Sequence, residues 1–250
     1  MSRPMVPVPG PVLCLVFALA LALVGRAGVD GDALRSECVQ HHGGEFGIVM
    51  GEALAAKGLD GYFRLAEQYH TQSEPTFCGL GSLVVALNAL GIDPKRSWKG
   101  PWRWFSEDLL DCCLPLAAVR EQGLTLDEVA CLARCNGGDV ELERASPSNL
   151  EHWRAALALA ASGEAVVIAA YDRAALGQTG SGHFSPIGGY HAGKNLALVL
   201  DVARFKYPAH WMDADRLWQA MQEVDAATKQ ARGWMVIRPS ATRSATCSKG

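Results

Sequence analysis

Gln72 stands six residues before Cys78 in the segment Thr71-Gln72-Ser73-Glu74-Pro75-Thr76-Phe77-Cys78-Gly79-Leu80. The segment is extended and contains proline, and an apolar helical pattern follows it directly. That places a thiol on the first turn of a helix. Cysteine is a strong nucleophile only as thiolate, and a helix N-terminus favours the anion. A base and an orienting group come from further along the chain. The apolar runs 182–190 and 196–201 read as a hairpin turning near 192–193, which brings His183 opposite Asp201 to within about one residue of register. Asp201 can then fix the tautomer of His183, and the other ring nitrogen can exchange a proton with Cys78. The side-chain amide of Gln72 can donate to a developing oxyanion. Together these groups are suited to acyl transfer through a thioester. Taken singly they are ordinary: a lone cysteine is most often a small buried hydrophobe. Their joint order, amide, thiol, imidazole, carboxylate, carries the reading.

The elements that must hold these groups follow from periodicity. Residues 45–69 read as helical with a break at Gly58 and Gly61. Leu80, Leu83, Val84, Leu87 and Leu90 repeat at helical spacing and end at Gly91. Leu109, Leu110 and Leu114 predict a short helix. Thr125 followed by Glu128 forms a capping box for a helix over 125–135. Ser148, with Glu151 three residues on, predicts the cap of a helix over 148–162. Short apolar runs at 165–171, 182–190, 196–201 and 233–237 read as strands. Helices first and a sheet afterwards define an α+β class.

The chain has 250 residues, 49% hydrophobic and 20% charged, with a net charge of −3. A core of good size is available, and the charge balance gives no sign of a nucleic-acid partner. Eight cysteines are unevenly spaced and make no C-x-x-C zinc pattern. Residues Pro4 to Gly25 carry no charge, and Val12 to Val24 is apolar throughout. That length suits the core of a signal peptide better than a membrane span. A targeting segment and a variable extension are both open for residues 1–30.

Several longer motifs narrow the reading. Gln72 to Leu80, Trp98-Lys99-Gly100-Pro101-Trp102-Arg103-Trp104-Phe105, Leu110-Asp111-Cys112-Cys113, Gly180 to Gly193 and Leu200 to Pro208 together resemble the phytochelatin synthases over residues 45–238. The resemblance implies a papain-like cysteine peptidase fold over a catalytic domain at 31–240. A short tail at 241–250 would then stand where many plant members carry a Cys-rich domain. It implies Cys78 as nucleophile, His183 as acid and base, Asp201 as orienting carboxylate and Gln72 as oxyanion donor.

The implied reaction is γ-glutamylcysteine transfer from glutathione, releasing glycine and making (γ-Glu-Cys)n-Gly, which chelates cadmium and other soft metals. Arg204, three residues past Asp201, is expected to bind the substrate α-carboxylate, Glu74 its ammonium group, and Asp225 the acceptor. Phe77 stands where the family often has tyrosine. Cys112, Cys113, Cys131 and Cys135 match cysteines of plant members. They are candidates for metal–thiolate contact, or for packing or a disulfide, and structure is the favoured reading. No tightly bound cofactor is expected; cadmium or zinc would act as activator or as a metal–glutathione substrate. The expected partners are glutathione and its metal complexes, with a homodimer by analogy. The family implies the cytoplasm, whereas the N-terminal segment implies secretory or organellar entry. Two rival functions are a glutathione hydrolase and a non-enzymatic metal–thiolate binding protein.

Overall fold

The structure, a computed structural model, describes residues 38–40 and 44–241. The apolar segment, read as either a targeting segment or a variable extension, and most of the tail lie outside the described residues. No helix among those described is long and apolar enough to cross a membrane.

Strand β1 (Cys38–Gln40) is followed by helices α1 (Gly44–Ala55), α2 (Tyr62–Gln68) and α3 (Cys78–Ala89). A 3₁₀ turn at Glu107–Leu109 leads to α4 (Leu116–Gln122), α5 (Leu126–Cys135) and strand β2 (Gly138–Arg144). Helix α6 (Leu150–Ser162) precedes β3 (Val166–Asp172), β4 (Gly182–His191), β5 (Leu196–Val199) and β6 (His210–Asp213). Helix α7 (Ala214–Gln222) and β7 (Gly233–Pro239) complete the described chain. The seven strands form one antiparallel sheet in the order β1-β6-β5-β4-β3-β7-β2.

This is an α+β arrangement, although helices and strands are more interleaved than the expected helices-then-sheet order. The interruption expected at Gly58 and Gly61 is real and has a packing cause. A Cβ on Gly58 would lie 2.2 Å from the Tyr190 carbonyl oxygen, and Tyr190 N–H donates to the Gly58 carbonyl at 2.9 Å. The α1–α2 connection therefore docks backbone to backbone on β4, which only glycine permits. The capping box at Thr125 and Glu128 is present. The cap position of α6 is Asn149 rather than Ser148; its side chain makes no cap bond to the helix and is held instead by Ser146 N–H, Glu143 and the Arg144 carbonyl.

The apolar runs read as strands are apolar because both faces of the sheet are covered. Along β3, Val166, Ile168 and Ala170 join one core with α3 and α5, whereas Val167, Ala169 and Tyr171 join another with α6 and α7. Helix α3 lies within the first core, and every residue from Gly79 to Leu87 is buried. A helix apolar on all sides must be interior. Its N-terminal residue, Cys78, is the one that reaches a cleft.

Candidate active site

Cys78 opens α3 and is only partly buried. Phe77 precedes it without a side-chain cap bond, so the helix N-terminal amides face the thiol. Burial pushes the Cys78 thiol up, but the charge and hydrogen bond of His183, then the backbone at Phe184 and Gly79, outweigh this and hold it below the ordinary cysteine value. Helix α3 is tied to β4 by the Ser82 hydroxyl, which donates to the Phe184 carbonyl at 3.0 Å. That bond sets the thiol beside the start of β4, where His183 lies.

His183 Nε2 lies 2.9 Å from Asp201 Oδ1, which leaves Nδ1 for the thiol. His183 is 5% exposed and Asp201 is fully buried. Burial works against the imidazolium, but Cys78 and Asp201 together raise His183 above its ordinary value. Burial likewise disfavours the Asp201 carboxylate, whereas His183 and Arg173 lower it. The lowered thiol and the raised imidazole both run in the direction that favours a thiolate–imidazolium pair, with a buried carboxylate behind it.

The hairpin reaches this contact differently from the simple count. Its turn side pairs Gly189 with Leu198 and His191 with Leu196, but a bulge at Gly188 shifts the register, so that Ile187 pairs with Val199. The ladder then ends, and His183 pairs with Tyr171 of β3 instead. Asp201 lies past the end of β5 and meets His183 diagonally. The bulge moves the pairing one residue toward Asp201, and the reach of the two side chains closes the remaining offset.

Gln72 is buried, and its Nε2 donates to the carbonyls of Glu74 (2.7 Å) and Pro75 (3.0 Å). Its backbone N–H donates to Val202, tying the nucleophile loop to the strand end that carries Asp201. Glu107 supports the same loop. It accepts the Ser73 N–H at 3.1 Å and the Ser73 hydroxyl. Burial pushes its carboxyl up, partly offset by these bonds.

A cleft of about 680 Å³ opens at Cys78 and His183. Its charged lining comes from Glu128, Arg144, Asp172, Asp225 and Arg232, with Gly123–Leu126 as one wall. Arg232 is nearly buried; it faces Asp172 at 3.6 Å and donates to the Glu223 carbonyl at 2.9 Å. Asp225 lies in this lining. Arg204 and Glu74 are not part of it: Arg204 stacks over Tyr69 at 4.9 Å, and Glu74 pairs with Arg120 at 3.4 Å. Phe77 is buried against the Arg120 guanidinium. Sequence reasoning missed Arg144, Arg173 and Arg232, whose only signal was their charge in otherwise apolar or strand-like surroundings.

Cys112 pairs with Cys135 and Cys113 with Cys131 as disulfides. The sulfurs of Cys112, Cys113 and Cys135 lie within 4.8 Å of one another, so the reduced cluster would present soft donors at metal-binding separation.

A thiol on a helix N-terminus, an imidazole and a buried carboxylate at the end of a cleft have the geometry of a thiol-nucleophile site on an α+β fold. A family model described as phytochelatin synthase matches residues 30–234, and the chain belongs to that family. Glutathione gamma-glutamylcysteinyltransferase 1 of Lotus japonicus is 52% identical over 187 residues, 74% of this chain and 37% of that protein. The protein of the same name from Arabidopsis thaliana is 51% identical over 191 residues, 76% of this chain and 39% of its own length. Glutathione gamma-glutamylcysteinyltransferase of Schizosaccharomyces pombe is 43% identical over 188 residues, 75% of this chain and 45% of that protein. The chain thus spans less than half the length of these curated relatives.

Proposed function

We propose that this chain transfers the γ-glutamylcysteinyl group of glutathione, on a papain-like fold, with Cys78, His183 and Asp201 as its catalytic residues. The observation that carries the reading is the hydrogen-bonded Cys78–His183–Asp201 set at the head of a cleft lined by charges of both signs. The Cys78 thiolate attacks the carbonyl carbon of the Cys–Gly peptide bond. His183 gives its proton to the departing glycine amine, and a thioester remains on Cys78. The amine of a second glutathione attacks the thioester, His183 takes up that proton, and Cys78 leaves as thiolate.

The Cys78 backbone N–H is one donor for the oxyanion. Gln72 becomes the second by releasing one of its two loop carbonyls. Glutathione carries an ammonium group and a carboxylate at its γ-glutamyl end. Arg232 and Asp225 offer the matching pair within the cleft, so the carboxylate role expected of Arg204 is better suited to Arg232. Cadmium or zinc enters as a glutathione thiolate complex and is substrate. A direct metal contact through Cys112, Cys113, Cys131 and Cys135 requires their prior reduction.

Incubating the protein with glutathione, with and without cadmium, and separating the products tests the reading. Wild type should yield glycine and (γ-Glu-Cys)2-Gly, and Cys78→Ser neither. Glycine and γ-Glu-Cys alone at high glutathione would make the chain a hydrolase. Cadmium binding without turnover or a trapped Cys78 thioester would leave a metal–thiolate binding protein.

A further inference from the structure

Asp201 has more partners than the orientation of one imidazole requires. Its Oδ1 accepts from His183 Nε2 and from Ala203 N–H, each at 2.9 Å. Arg173 Nη2 donates to Oδ1 at 3.0 Å and to Oδ2 at 2.7 Å. Arg173 is only 3% exposed and is itself held on two further sides. Its Nη1 donates to Gln178 Oε1 at 2.8 Å, and its guanidinium lies over the Tyr207 ring at 4.8 Å. Gln178 Nε2 lies 3.4 Å from His210 Nε2, and His210 Nδ1 is 2.9 Å from the Pro208 carbonyl. A neutral His210 with its proton on Nδ1 satisfies both contacts.

We infer that Arg173 is a positioning residue: by holding both oxygens of Asp201 it keeps that carboxylate ionised and aimed at His183, and so sustains the charged Cys78–His183 pair. The purpose of this device rests on the acyl-transfer reading above, but its test does not. A carboxylate sealed from water takes up a proton unless a cation faces it. The other titratable groups around Asp201 do not supply a permanent cation in contact with it. Tyr171 on β3 and Tyr69, whose hydroxyl donates to the Asp201 carbonyl oxygen, are pushed up chiefly by burial and stay neutral. His210 on β6 is pushed down by burial and stays neutral near pH 7. Arg204 is spent on the Tyr69 ring. His183 is raised by Cys78 and Asp201 acting together against its burial, so it is not an independent cation. Arg173 is always charged, and its planar fork is held in register by Gln178, which a lysine cannot reproduce.

The sign follows directly. Without Arg173, Asp201 takes its proton at higher pH. Once it is protonated, the His183 imidazolium loses its anion and the Cys78 thiolate loses its cation. The acid limb of thiolate formation therefore moves to higher pH.

The rate of Cys78 alkylation by iodoacetamide, followed across pH by mass spectrometry of the Cys78 peptide, reads this limb without glutathione. In Arg173→Met the limb should rise by about one pH unit or more, the usual reach of a lost opposite charge. Arg173→Lys should rise less. Gln178→Ala, which frees one side of the guanidinium, should rise in the same direction by a smaller amount. A folded Arg173→Met with the wild-type profile would overturn the inference, as would equal displacement in the Met and Lys variants. Should Arg173→Met fail to fold, unshifted profiles in both Arg173→Lys and Gln178→Ala would overturn it. A shifted limb in a chain that never turns over glutathione would leave the positioning role standing and reject the transferase reading.

Discussion

Val129 on α5 packs against the backbone of Gly79, the residue after the nucleophile, so closely that a Cβ on Gly79 would lie 2.9 Å from Val129 Cγ2. The cleft wall and the nucleophile helix therefore share one contact with no spare room. Gly79→Ala should overpack it, at a cost of about 1–3 kcal/mol. Urea denaturation should show the lower midpoint. Because any relief must move Cys78 or α5, Cys78 alkylation should also slow. An Ala variant with wild-type stability and alkylation would show that the contact has slack.

Glu107 offers a pH test of the nucleophile loop. Its folded carboxyl is raised by burial above the ordinary value of 4.5, so the native state binds more protons than the unfolded chain between the two values. Stability from this group is full below the unfolded value and is lost as pH rises through the folded one. Glu107→Gln, which cannot ionise, should flatten that decline in denaturation midpoints measured from pH 4 upward. Gln also has one acceptor oxygen where the carboxylate uses two for Ser73, so the loop should show faster hydrogen exchange at Ser73. An unchanged pH slope would remove Glu107 from the account.

The disulfides should stabilise the cleft wall. Cys112–Cys135 closes a span of 23 residues and encloses Cys113–Cys131, which closes 18. Reducing both should cost about 2–4 kcal/mol, less than two independent bridges, since the inner loop is already restrained by the outer one. Hydrogen exchange should rise at Gln122–Glu128, the stretch that lines the cleft between the bridges. Denaturation with and without dithiothreitol, alongside Cys113→Ser/Cys131→Ser, measures this. Equal stability of the oxidised and reduced protein would show that the four thiols pack as well unpaired.

What was legible in the sequence was mostly local. Thr125 and Glu128 cap α5 because the bonds span three residues. The start of α3 at Cys78 follows from proline before it and leucine periodicity after it. Strand β2 escaped because it is a sheet edge, with alternating charges that solvent accepts. Helix α7 was missed although Asp213 caps it and Ala214, Leu217, Trp218 and Met221 fall at helical spacing. Ser148 lost the α6 cap position to Asn149, whose side chain is recruited by groups brought in from β2 and by the α7 residue Trp218.

The sequence alone determined the kinds of groups present and their local setting: a thiol at a helix start, an amide just upstream, and an imidazole and a carboxylate on two runs that pair. Those features depend on periodicity and short-range hydrogen bonding, which neighbours in the chain decide. Only the tertiary structure decided that Asp201 serves Arg173 as well as His183, that four cysteines pair across two bridges, and that Arg232 rather than Arg204 lines the cleft. These outcomes depend on which distant charges are sealed from water together. A buried carboxylate accepts whatever cation the fold delivers, and Arg173 and Asp201, 28 positions apart in the chain, carry no local sign of that encounter.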